Sequence, residues 1–318
     1  MKKLLILLLL VPCLGFSKIN PNIQEIVNTL TNNLEADIKS LTVKEWKMDS
    51  RNSFWRSVKN NHKDGNFALI KDKKTSYHGE NYYLFTSSYS QCKRTKGFND
   101  CKHADGVART EYYSKKSSLT NGDEVWIHMA VKPVNNILYE KNLNKKKNSK
   151  NYFMQCYGKD GWNIFMIGFY PHHSIPSLQI NLQQAGLDKK NNEWIYGGGE
   201  NDKWKNFVLK LYKDEEINRY YGSSEWIKIV ININHGSGDD AFFKVFINDT
   251  LTAEFNAPTF NPKLRKNGSC YIKFGNVSTK SKNRIEAYGE ESAELMSIAL
   301  DAISFGSTEE EMLSNIKD

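Results

Sequence analysis

Three short stretches interrupt apolar runs with side chains able to hold an anion and move a proton. "ARTEYY" spaces Arg109, Glu111 and Tyr113 two residues apart, "NYFMQCYGKDG" does the same for Gln155 and Tyr157, and "GSCYIKFGNV" for Tyr271 and Lys273. In an extended strand successive side chains alternate between faces. Each set therefore shares one face, while Met154, Cys156, Cys270, Ile272 and Phe274 point the other way. The planar fork of an arginine matches a carboxylate. Each set also has a plain structural reading. An Arg–Glu pair one strand period apart can be a salt bridge only, and a Gln and a Tyr can line a sheet surface. His172 and His173 in "YPHHSIP" are two further bases, and two histidines beside prolines equally suit an exposed turn.

The elements that must position these residues are strands. From Trp46 to Phe305 the chain reads as short alternating or apolar runs rich in Val, Ile, Phe, Tyr and Trp, separated by Gly, Asn and Asp. That pattern predicts an all-β domain over 43–307, a two-sheet antiparallel sandwich of jelly-roll type. "SEWIKIVININHGSGDDAFFKVFINDTLTAEF" is the clearest part. Ile227, Ile229, Ile231 and Ile233 share one face, Trp226, Lys228, Val230, Asn232 and Asn234 the other, and Asn248-Asp249 supplies a hairpin turn. The runs "NKKKNSKN" and "KKNNEWIYGGGEND" read as surface loops, and no repeat supports a propeller or solenoid.

Ahead of this domain, Ile23, Ile26, Val27, Leu30, Leu34 and Ile38 recur at spacings of three and four, which predicts an amphipathic helix within 18–42. Residues 1–17, "MKKLLILLLLVPCLGFS", read as a secretory signal peptide, too short to span a membrane. Cys13 follows Pro rather than a small residue, so cleavage near Ser17 is favoured over lipoprotein processing. The tail, 308–318, is a short acidic helix or a frayed end. A secreted or periplasmic monomer without stable membrane insertion is expected.

The formal charge of +8 becomes +6 once Lys2 and Lys3 are removed (8 − 2). A basic exported protein suits an anionic partner, or has only a lysine-rich surface. A nuclease would need His, Asp and Glu at metal-ligand spacing, which the sequence lacks, so neither nucleic acid nor a metal centre is expected. No cofactor is expected, with a structural calcium ion left open. A glycoside hydrolase would need two carboxylates in one groove, and no closely spaced acidic pair lies on an apolar strand. Cys92 and Cys101 bracket "CKRTKGFNDC", where a disulfide in an oxidising compartment would contribute roughly 2–3 kcal/mol. Cys156 and Cys270 sit in strand-like runs and read as buried thiols.

Taken in order, "RTE", a Gln-bearing strand, "HGSGDDAFFKVFINDTLTAEF", "YIKFG" and "IALDAISFG" resemble the polysaccharide lyases built on a concanavalin-A-like jelly roll, the group of heparin lyase I-type, alginate and glucuronan lyases. The resemblance covers about residues 46–307 and implies β-elimination beside a uronic acid. Arg109, Gln155 and Lys273 match the family pattern. The His of its Gln-x-His pattern is Tyr157 here, and the Tyr four residues after its Lys is Val277. On this resemblance Arg109 and Gln155 stabilise the enolate-like charge. Tyr157 then stands in for the missing pair as both base and acid, parts open to a phenol whose pKa a cation such as Lys273 lowers from about 10. Glu111, Tyr113, Tyr271, His172 and His173 would bind substrate, an anionic polysaccharide. The two departures leave an alternative, a catalytically inactive module of the same fold that binds anionic glycan.

Overall fold

Strand-forming runs set the architecture of a computed structural model of the chain, which describes residues 46–48, 67–87, 94–95, 98–99, 107–133, 151–158, 163–172, 175–183, 186–188, 193–195, 206–211, 225–262, 268–279 and 296–316. The leader, the 18–42 helix, Cys92, Cys101 and His173 lie outside the described residues.

In chain order the described strands begin with β1 (Trp46–Met48), β2 (Phe67–Lys71), β3 (Asn81–Ser87), β4 (Arg94–Thr95), β5 (Phe98–Asn99) and β6 (Val107–Leu119). Next come β7 (Asp123–Pro133), β8 (Asn151–Gly158), β9 (Asn163–His172), β10 (Ile175–Gln183), β11 (Gly186–Asp188) and β12 (Glu193–Ile195). The last are β13 (Asn206–Lys210), β14 (Ile227–His235), β15 (Phe242–Ile247), β16 (Thr250–Phe255), β17 (Cys270–Thr279) and β18 (Met296–Gly306), followed by helix α1 (Glu309–Ser314). Two seven-stranded sheets, ordered β1-β6-β17-β8-β9-β10-β13 and β16-β15-β14-β7-β18-β3-β2, make an antiparallel sandwich.

The core lies between the sheets. Ile227, Ile229, Ile231 and Ile233 of β14 are fully buried there with Met154 and Cys156 of β8 and Ile272 and Phe274 of β17, as the alternation predicts. A buried Ile or Phe contributes roughly 1.5–3 kcal/mol by leaving water, so a one-residue slip of either strand would expose a whole row. The β15–β16 hairpin turns on Asn248 (φ 48°) and Asp249 (φ 67°), two left-handed residues that match the right-handed twist of the strands. One polar run differs from its reading as a loop. Glu193–Ile195 pairs with Gly186–Asp188, because a Trp-Ile pair favours a pleated strand even inside a polar stretch.

The tail forms helix α1. Thr308 caps it by accepting from the Glu311 N–H at 3.2 Å, and Glu311 accepts in return from the backbone N–H and hydroxyl of Ser307 at 2.7 and 2.6 Å. On the outer face of the second sheet, residues 72–80 form a strap. Asp301 Oδ2 accepts the N–H groups of Tyr77 (2.7 Å) and His78 (3.1 Å), and Trp226 Nε1 donates to the Thr75 carbonyl at 2.7 Å. Under it, His128 Nδ1 donates to the Ala302 carbonyl at 2.6 Å, where β18 is bulged and Ala302 sits at φ 49°.

Candidate functional site

Strand β17 lies between β6 and β8, so the three stretches singled out by their residue types are neighbours in one sheet. Register places Lys273 opposite Gln155 on one side and Tyr113 on the other, Tyr271 opposite Tyr157, and Val277 between Arg109 and Tyr152. With Met154, Cys156, Ile272 and Phe274 in the core, the polar set occupies the sheet's outer face.

Glu111 is the hub of this set and is 1% exposed. Its Oε2 lies 3.7 Å from Arg109 Nη1 and 3.8 Å from Lys273 Nζ, and its Oε1 accepts a hydrogen bond from Gln155 Nε2. That bond fixes the Gln155 amide, because a carboxylate accepts only from the NH₂ end. Two cations thus flank one carboxylate, with Lys273 and Glu111 fully withdrawn from water and Arg109 nearly so. Paired burial is what makes such charges tolerable, since an isolated ion would cost several kcal/mol.

Gly275 sits opposite Glu111 at φ +146°, where a Cβ would strike the Thr110 carbonyl and come within 2.8 Å of Glu111 Cα. Glycine therefore lets β17 approach β6 beside the carboxylate. Beyond it the pairing is irregular: the two steps of β17 from Tyr271 to Lys273 span the five steps of β6 from Ser118 to Tyr113.

Next to this cluster stand two phenols. The Tyr157 and Tyr271 ring centroids are 5.7 Å apart with planes at 57°. Lys273 Nζ lies 4.3 Å from the Tyr157 centroid and 5.6 Å from that of Tyr271. Val277 instead packs in a buried apolar cluster with Val107, Tyr152 and Met166. The fold thus brings together Arg109, Glu111, Gln155, Tyr157, Tyr271 and Lys273, with the Tyr113 backbone alongside. His172 ends β9 six residues past Met166, the residue opposite Gln155, or about 20 Å along the strand. The register does not bring it to the phenols.

Cys156 and Cys270 are not thiols but a disulfide. Cys156 opposes Ile272 and Cys270 opposes Gly158, so the two are diagonal neighbours on the inner face with Cα atoms 5.4 Å apart, within disulfide range. A separation of 114 residues hid the pair. The signal that reveals it is that each cysteine directly precedes one of the two facing tyrosines. Among the described residues no group of three or more His, Cys, Asp or Glu is arranged to hold a metal ion.

Solved structures align across most of the chain. An alginate lyase from Klebsiella pneumoniae matches at 10% identity over 84% of this chain and 97% of that one, with a TM-score of 0.50. An endo-β-1,4-glucuronan lyase from Trichoderma reesei matches at 13% identity over 77% and 88%, TM-score 0.46. An exolytic alginate lyase from Zobellia galactanivorans matches at 11% identity over 77% and 88%, TM-score 0.47. No protein-family model and no curated protein sequence matches the chain. The likeness to the Klebsiella enzyme gives this chain the jelly-roll fold on which such polysaccharide lyases are built.

Proposed function

We propose that this protein is an exported polysaccharide lyase that cleaves a uronic-acid polymer by β-elimination. The observation that carries the reading is the convergence of Arg109, Gln155 and Lys273 with two tyrosines on one sheet face. The hydrogen on C5 of a uronate becomes removable only when its carboxylate is neutralised, because the electrons released flow into that group. Arg109 and the free N–H of Gln155 are donors of the kind that stabilise such a developing charge. Tyr157 takes the C5 proton, the C5–H electrons form a C4=C5 double bond, and the C4–O4 bond breaks. The structurally similar Klebsiella protein is an alginate lyase, which supports a polyuronate as substrate.

Export is supported by the Cys156–Cys270 disulfide, a bond that persists in oxidising compartments. Among the described residues no helix is long and apolar enough to cross a membrane.

A second reading, an inactive anionic-glycan-binding module, is favoured by Val277, which lies in an apolar cluster where the resemblance implies a tyrosine. One assay separates the two. Alginate, glucuronan, heparin and pectin are each incubated with the protein while the ultraviolet absorbance of the unsaturated product is followed. Rising absorbance on one polymer, reduced about a hundredfold in kcat by Arg109→Ala, is expected. Retention of a polymer on an affinity gel with no absorbance change from any of the four overturns the lyase reading in favour of the binding module.

A further inference from the structure

β-Elimination needs two proton transfers, one from C5 and one to the departing glycosidic oxygen, and the lyase reading supplies only the first. The second comes either from Tyr157 itself, handing the same proton on to O4, or from another ionisable group beside it. Val277 has no proton to give, and the register leaves His172 about 20 Å along its strand from the residue beside Gln155.

What stands beside Tyr157 is Tyr271. The two are directly opposed across β8 and β17, their rings are 5.7 Å apart, and both remain partly exposed. Lys273 Nζ is within 5.6 Å of both ring centroids. The order along the sheet also suits two roles. Arg109 lies in the row of Val277, Lys273 and Gln155 form a later row, and the tyrosine pair ends the set. A uronate held with its carboxylate at Arg109 and Gln155, and with C5 and O4 toward that end, would meet both phenols.

We propose that Tyr271 is the general acid of the elimination, working opposite Tyr157 as base; the inference rests on the lyase reading. The Tyr157 phenolate oxygen takes the C5 proton, the electron pair forms C4=C5, the C4–O4 bond breaks, and the Tyr271 hydroxyl delivers its proton to O4. One product carries an unsaturated uronate and the other a new reducing end. Protons balance, with Tyr157 protonated and Tyr271 ionised, and a transfer between the two phenols, directly or through water, restores the start.

The test varies the leaving group. A uronoside carrying a dinitrophenyl ether at C4 releases a phenolate that needs no proton, so it bypasses an acid but not a base. The polymer is whichever of alginate or glucuronan the wild-type protein cleaves. Tyr271→Phe is expected to lower kcat on the polymer about a hundredfold or more, yet to change the rate on the ether by less than about threefold, whereas Tyr157→Phe lowers both about a hundredfold. On wild-type protein a solvent deuterium isotope effect is expected on polymer turnover and not on the ether, a measurement independent of whether a variant folds. Equal losses on both substrates for Tyr271→Phe, no loss on polymer, an isotope effect shared by both substrates, or rescue of Tyr157→Phe by the ether would each overturn the assignment. Failure of the lyase reading looks different: wild-type protein then forms no unsaturated product from either polymer or from the ether.

Discussion

The Lys273 ammonium ends 4.3 Å from the centre of the Tyr157 ring, and the lysine side chain is wholly buried. A cation over an aromatic face is attracted by the ring quadrupole, more so when desolvated. The same ammonium faces Glu111 Oε2 at 3.8 Å, so one charge ties the phenols to the carboxylate hub. Lys273→Met keeps the length and removes the charge. It should weaken binding of a polyuronate at least tenfold, about 1.4 kcal/mol, measured by titration calorimetry at fixed salt. Unchanged affinity would exclude Lys273 from holding the charge of the polymer.

Reducing the Cys156–Cys270 bond releases two strands that carry four of the site residues, Gln155, Tyr157, Tyr271 and Lys273. Its 114-residue separation corresponds to about 4–5 kcal/mol in a chain-entropy account. A Cys156→Ser, Cys270→Ser double variant should melt roughly 10 °C lower, with a loss of turnover at temperatures where it is still folded. Calorimetry with and without reductant checks this, and a melting point indifferent to reductant would contradict it.

Gly275→Ala places a methyl against the Thr110 carbonyl and forces a positive φ on a residue with a side chain. Overpacking and backbone strain together should cost about 2–5 kcal/mol. The displaced group is Glu111, so kcat should fall by more than the lost stability explains. Chemical denaturation together with kinetics on the surviving native fraction tests both halves.

Burial pushes the His128 imidazole below its ordinary 6.5, and the hydrogen bond to the Ala302 carbonyl, which favours the charged form, only partly offsets this. Of the charged neighbours, Lys228 and His78 also lower it, while Asp249 raises it. With the folded value depressed, the stabilising contribution is complete above the unfolded value and is lost as pH falls below it toward the folded one. The melting temperature should therefore drop between neutral pH and about pH 5, and less steeply in His128→Gln, whose amide can still donate to Ala302. Parallel slopes in the two proteins would exclude His128 as a source.

Much of the fold was legible because period-two alternation is a local signal. The isoleucines of β14 and the Asn248-Asp249 turn declare themselves within ten residues of chain. Which residues share a face in β8 and β17 was equally local. That β17 separates β6 from β8, and so gathers Arg109, Gln155 and Lys273, is a long-range pairing that alternation does not specify. The disulfide was missed for that reason. Glu111 was read as a contact for substrate, whereas the structure surrounds its carboxylate with Arg109, Gln155 and Lys273 and leaves it 1% exposed. One strand's pattern carries no information about groups arriving from two others.

Strand β18 lies between β7 and β3, not at an edge of its sheet, and residues 301 and 77, hydrogen-bonded through Asp301, are 224 positions apart. Until residues 296–306 are made, an emerging chain therefore exposes two unsatisfied strand borders, one on β7 and one on β3. Such borders invite pairing with other chains. Closure of this sheet thus waits on β18, and is slow because its closing contacts are remote. A premature stop before residue 296 would leave no smaller native sandwich but a split sheet, prone to aggregate.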